Sequence, residues 1–155
     1  MKTIITVIIL SLVLAISCQA RGAESTLRTA LILEFEGSVD VKLSDTKWIP
    51  AKEEMVLNQG DVIRTKSDSW ALVRLLGDSE LATVEIKENS QLRLAELFEI
   101  KEEGVQKTLL DLAVGEILIK AEKLRSPKST FDVKTPTSML GIRGTTLSVK
   151  VEALE

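Results

Sequence analysis

The chain has 155 residues, with 20 Lys and Arg against 23 Asp and Glu, a formal charge of −3, a single cysteine and no histidine or tyrosine. That length fits one domain, the singly scattered charges leave no basic stripe to track a nucleic acid, and one thiol excludes a disulfide framework within the chain. Without histidine, the usual general base for serine or cysteine nucleophiles and the commonest transition-metal ligand are both missing.

The N-terminus carries an export signal. Lys2 is a minimal positive region, and Ile4 to Ile16 form an apolar run broken only by Thr6 and Ser11. The run is shorter than the roughly 20 apolar residues a membrane span requires. Two processing routes are open. Cys18-Gln19-Ala20 offers small residues for cleavage after Ala20, giving a signal peptide over 1–20, while Leu14-Ala15-Ile16-Ser17-Cys18 is similar to a lipoprotein box, ending the signal at 17 with Cys18 as lipidation candidate. The chain is thus expected in the periplasm or cell envelope, touching a membrane only through such an anchor. Residues 21–28 are polar and unpatterned and read as a tether to a β domain over 29–155.

From residue 31 onward the dominant pattern alternates with a period of two, the mark of half-buried strands. Val39 to Leu43, Ala71 to Leu75, Val84 to Ile86, Gln91 to Leu94, Phe131 to Lys134 and Leu147 to Val151 all show it. Gln91 to Glu103 also has a composition that favours helix locally and is read as strand. Gly37-Ser38, Asn58-Gln59-Gly60-Asp61, Ser67-Asp68-Ser69, Gly77-Asp78-Ser79, Glu88-Asn89-Ser90 and Glu102-Glu103-Gly104 supply turn chemistry at intervals near ten residues. Pro127 fixes a loop over 124–130. The expected fold is all-β, many short strands in a two-sheet sandwich or compact β-roll. Core candidates include Phe35, Val39, Val41, Trp48, Ile63, Trp70, Leu72, Leu81, Val84, Ile86, Leu92, Leu94, Leu109, Leu112, Ile117, Ile119, Phe131, Val133, Leu147 and Val149.

Several residues invite a functional reading. A Gly60-Asp61 turn reverses the chain, and Asp61 can accept a backbone amide ahead of the strand ending at Thr65. Thr135-Pro136 ends a strand. Arg143, between Ile142 and Gly144, is expected to be partly buried and so to need a carboxylate such as Asp61 or several carbonyls. Trp48 and Trp70 suit core or strand-pair anchoring, with sugar stacking as the alternative if both indoles share one exposed face. Asp45, Asp68 and Asp78 read as solvated turn residues rather than calcium ligands. The carboxylates fall singly rather than in a paired hydrolytic site. No enzymatic activity, metal or cofactor is expected.

Taken in order, the run Gly37-Ser38-Val39, Trp48, Gly60-Asp61-Val62-Ile63-Arg64-Thr65, Ser69-Trp70-Ala71-Leu72-Val73, Asn89-Ser90-Gln91-Leu92, Leu112 to Ile117, Phe131 to Pro136 and Ile142-Arg143-Gly144-Thr145 to Val149 resembles the FecR domain. Gly60, Asp61, Thr65, Pro136, Arg143, Gly144 and Thr145 carry the motifs. In the regulators of that family the resemblance implies relay across the envelope, with a transporter sensed in the periplasm and a sigma factor controlled in the cytoplasm. Here no cytoplasmic segment precedes the apolar run, and about ten residues follow Thr145, so this chain is expected to lack those parts. The resulting expectation is an exported protein-interaction or scaffolding module with an envelope protein partner. A periplasmic sensor or accessory subunit of iron or sigma-factor signalling, and a glycan or peptidoglycan binder, stand as alternatives.

Overall fold

The computed structural model describes residues 24–44, 46–77 and 82–152. The two export routes and Cys18, the core candidate Leu81, and the turn aspartates Asp45 and Asp78 lie outside them. Apart from one 3-10 turn at Lys101–Glu103, the regular structure is all strand. β1 (Ser25–Leu27), β2 (Ala30–Glu36), β3 (Val39–Lys42), β4 (Trp48–Pro50), β5 (Val56–Leu57) and β6 (Val62–Thr65) lead into β7 (Trp70–Leu75) and β8 (Ala82–Ile86). They are followed by β9 (Gln91–Ile100), β10 (Val105–Ala121), β11 (Thr130–Lys134), β12 (Met139–Gly141) and β13 (Thr146–Val151).

β10 organises the fold. Its first half pairs antiparallel with β9 and, on its other edge, parallel with β11; its second half pairs antiparallel with β8 and β13. One half-sheet therefore runs β4-β3-β6-β9-β10-β11-β12, with β1 also on β9, and the other runs β13-β10-β8-β7-β2-β5. The two are one curled sheet, and the long shared strand is what the expectation of short strands did not contain. Gln91–Ile100 is strand, as its alternation indicates: Leu92, Leu94 and Leu97 are fully buried while Arg93 and Glu96 are exposed.

The curl closes over a core of Ile32, Val41, Ile63, Val73, Leu75, Ile86, Leu92, Leu94, Leu110, Leu112, Ile117, Ile119 and Val133. Each large side chain buried fully contributes about 1.5–3 kcal/mol, and alternation along every strand delivers them to the same side.

Three expectations need correction. The tether expected over 21–28 does not extend through its second half, because Ser25–Leu27 pairs with β9 and Arg28 is buried. Its Nε donates to the Leu76 carbonyl at 2.9 Å and Nη1 to the Thr108 hydroxyl at 2.9 Å. Polar composition concealed a short edge strand whose affinity comes from backbone pairing. Second, Trp70 and Leu72 are half-buried on the outer face of β7, and Ala71, Val73 and Leu75 fill the core. Third, Arg143 is exposed; the buried guanidinium is Arg28. Ile142, 2% exposed, takes the inward position, and Arg143 stands exposed in the bend between β12 and β13, where no strand alternation governs it.

Candidate functional site

The turn at Gly60-Asp61 is built for architecture. Gly60 has φ +96, open to glycine at no steric cost. Asp61 is 1% exposed, and its carboxylate accepts the Ser44 amide at 2.9 Å and the Asn58 amide at 2.7 Å. It thus ties the turn after β3 to the turn before β6. At the other end of β6 the buried Thr65 hydroxyl donates to the Lys87 carbonyl and accepts the Ser90 amide at 3.0 Å.

The C-terminal motif is a chain crossing. Gly144, at φ +75, packs against Lys123 so closely that a Cβ would lie 2.4 Å from Lys123 Cα. The neighbouring Thr145 carbonyl accepts the Ala121 amide at 3.1 Å. Pro136 is exposed in the turn between β11 and β12, where the Ser138 amide donates to Thr135 Oγ1 at 3.0 Å. Arg143 and Asp61 do not meet: Asp61 is buried on its amide donors from Ser44 and Asn58, Arg143 is exposed, and among the described residues no ion pair joins them.

The two tryptophans lie in different half-sheets, Trp48 on β4 and Trp70 on β7. The Arg64 guanidinium covers Trp48, 4.1 Å from the ring centroid, in a cation–π contact. Arg64 Nη2 also holds Asp40 at 3.0 Å, with Lys66 at 3.4 Å. The hydrogen bond from Arg64 holds the Asp40 carboxyl below its ordinary range, Lys66 adding to this and burial working against it. Trp48 is therefore committed to an internal stack.

Trp70 opens onto a groove of about 910 Å³. Its floor carries Trp70 and Leu72 from β7, Val114 from β10 and Val151 from β13, with Glu85 of β8 directly opposite Leu72; charged side chains including Asp68, Lys87, Glu88, Glu116 and Lys150 line it as well. The indole N–H donates to Glu36 Oε2 at 3.2 Å across the β2–β7 pair, which fixes the ring plane. Lys87 pairs with Glu85 two residues back, and Glu116 accepts the Ser148 hydroxyl at 2.9 Å. The turns on either side are zipped together: the Asp68 amide donates to Glu88 Oε2 at 2.9 Å and Ser67 Oγ to Asn89 Oδ1 at 3.2 Å.

The groove exists because β10 bends at its edge. Gly115 has φ +97, and a Cβ there would lie 2.1 Å from Ser90 Oγ and 2.4 Å from Ser90 Cα. Ser90 Oγ accepts the Glu116 amide at 2.9 Å, securing the bend. Among the described residues no acidic or cysteine cluster has the arrangement of a metal site, and no helix is long and apolar enough to cross a membrane.

Residues 61–154 match the family model described as FecR protein. The chain belongs to the FecR family. The FecR match includes Thr65, Trp70, Ser90, Gly115 and the Ile142 to Thr145 crossing, whereas Gly37, Trp48 and Gly60 precede it. FecR proteins form a regulatory and sensor family associated with envelope signalling. No curated protein and no solved structure matches the chain.

Sequence reasoning had Trp70 in hand but on the wrong face, and it missed Val114, Gly115 and Val151 as groove residues. The available signal was Gly115 inside an otherwise uninterrupted strand pattern, which marks a bend or a close backbone approach.

Proposed function

We propose that this chain is an exported, non-enzymatic FecR-family module that binds a protein partner in the cell envelope through the groove beside Trp70. The observation that carries this reading is the placement of Trp70 and Leu72. They stand on the outer face of β7 while Ala71, Val73 and Leu75 already fill the core behind them. Large apolar side chains on a face that no other part of the described fold covers are what a docking surface requires, and Trp is among the residues that most often anchor one. The export segment supports the envelope as the compartment.

The reading is tested by chemical crosslinking in intact envelopes, comparing the unaltered chain with Trp70→Ala and with Trp48→Ala as a control on the other half-sheet. A crosslinked assembly that disappears in Trp70→Ala and persists in Trp48→Ala is expected. An assembly indifferent to Trp70 contradicts the reading.

A further inference from the structure

We infer that the groove takes an extended, cationic segment of its protein partner, one that sets apolar side chains on the Trp70 floor and lysine or arginine side chains at the rim. This rests on the proposed protein-binding role and specifies the chemistry of the bound segment.

The floor supplies the apolar half of the argument: Trp70, Leu72, Val114 and Val151 are each only partly covered. The rim supplies the charge. Both lysines there are already paired, Lys87 with Glu85 and Lys150 with Glu152. The remaining carboxylates meet neutral donors only. Glu88 accepts the Asp68 amide and Glu116 the Ser148 hydroxyl, and Glu36, next to the groove rather than lining it, accepts the Trp70 indole N–H. Among the described residues, none of these three nor Asp68 is ion-paired. No cation among the described residues neutralises these carboxylates, and the apolar side chains between them lower the local dielectric and focus their field outward. A segment with cations complements it, while an anionic one meets like charge.

The size fits as well. From Trp70 on β7 to Lys150 on β13 the groove crosses β8 and β10, so at about 4.8 Å per strand it spans about 14 Å, the length of four or five extended residues. Alternating side chains then fall in turn on the floor and toward solvent at the rim.

Two labelled heptapeptides serve as probes, Lys-Leu-Lys-Leu-Lys-Leu-Lys and its glutamate counterpart, measured by fluorescence anisotropy against the exported protein purified from the envelope. The lysine peptide is expected to bind at least about tenfold more tightly than the glutamate peptide, with affinity falling as salt rises. Trp70→Ala is expected to abolish binding, and the double variant Asp68→Asn/Glu88→Gln to weaken it about tenfold. The double variant Glu53→Gln/Glu102→Gln, which removes the same charge at exposed positions outside the groove, is expected to change nothing.

Equal weakening by the two doubles reduces the effect to overall charge and overturns the inference. If both peptides bind equally and through Trp70, the groove remains a protein-binding site and the cationic specificity falls. If neither peptide depends on Trp70, both readings fall. Sedimentation of the protein alone closes the remaining route: a dimer lost in Trp70→Ala makes a second copy the occupant and overturns the inference.

Discussion

Ser90 and Gly115 are in direct contact where β10 passes from one half-sheet to the other: Ser90 Oγ accepts the Glu116 amide at 2.9 Å, and there is no room beside it for a Cβ on residue 115. The contact lets one strand serve both halves of the curl and sets the groove at their junction. Gly115→Ala adds a methyl against Ser90 and forces an alanine to φ +97, which should cost about 3 kcal/mol or more. Ser90→Ala leaves room but strands the Glu116 amide, costing about 1–2 kcal/mol. Denaturant midpoints of the two variants check the order.

The arginines separate by burial. Arg28→Met removes the donors to Leu76 O and Thr108 Oγ1 inside the fold and should destabilise by about 2–3 kcal/mol. Arg143→Met, at an exposed position, should stay within about 0.5 kcal/mol. Thermal melts distinguish them, and a large loss at Arg143 would restore the clamp role that its apolar neighbours imply.

Asp40 gives the fold an acid-sensitive contact. Because the Arg64 hydrogen bond lowers its carboxyl from 3.8, the ionised form favours the folded chain. That contribution is complete above the unfolded value and is lost as pH falls through the lower folded value. Asp40→Asn should therefore flatten the stability profile below about pH 4 while leaving its shape near neutrality. Unfolding midpoints across an acid series measure this, and an unchanged acid limb would contradict it.

Adjacent residues on β7 should respond oppositely. Val73, 1% exposed, is core, and Val73→Ala should cost about 2 kcal/mol. Leu72→Ser, on the outer face, should cost less than about 1 kcal/mol and affect binding instead. Paired stability and crosslinking assays on the two variants test the assignment of faces.

That assignment shows where the sequence stops being informative. Period-two alternation located the strands, and it placed Val39, Val41, Leu92 and Leu94 inward because their neighbours are polar. In β7 the outer face is mixed: the exposed Arg74 follows Trp70 and Leu72 on it and marks the phase, but the larger side chains, Trp70 and Leu72, draw the wrong inference. Arg143 was put inside with its neighbour Ile142 although it lies in the bend between β12 and β13, where no period operates. Arg28 was hidden for a different reason: its burial depends on β9, β10 and the end of β7, all distant in sequence. The Gly60-Asp61 turn was legible because its chemistry is local, whereas the groove joins residues from 68 to 151 and only the fold assembles it.

The groove beside Trp70 is the surface proposed to meet a partner. Its most direct test is site-specific photo-crosslinking in living cells, with the photoreactive residue placed at Leu72 in the groove or at Val62 on the other half-sheet. A discrete protein adduct from position 72, absent from position 62 and lost when Trp70→Ala is added, is the predicted result. Adducts from position 62 alone, or adducts from 72 that survive Trp70→Ala, would contradict it.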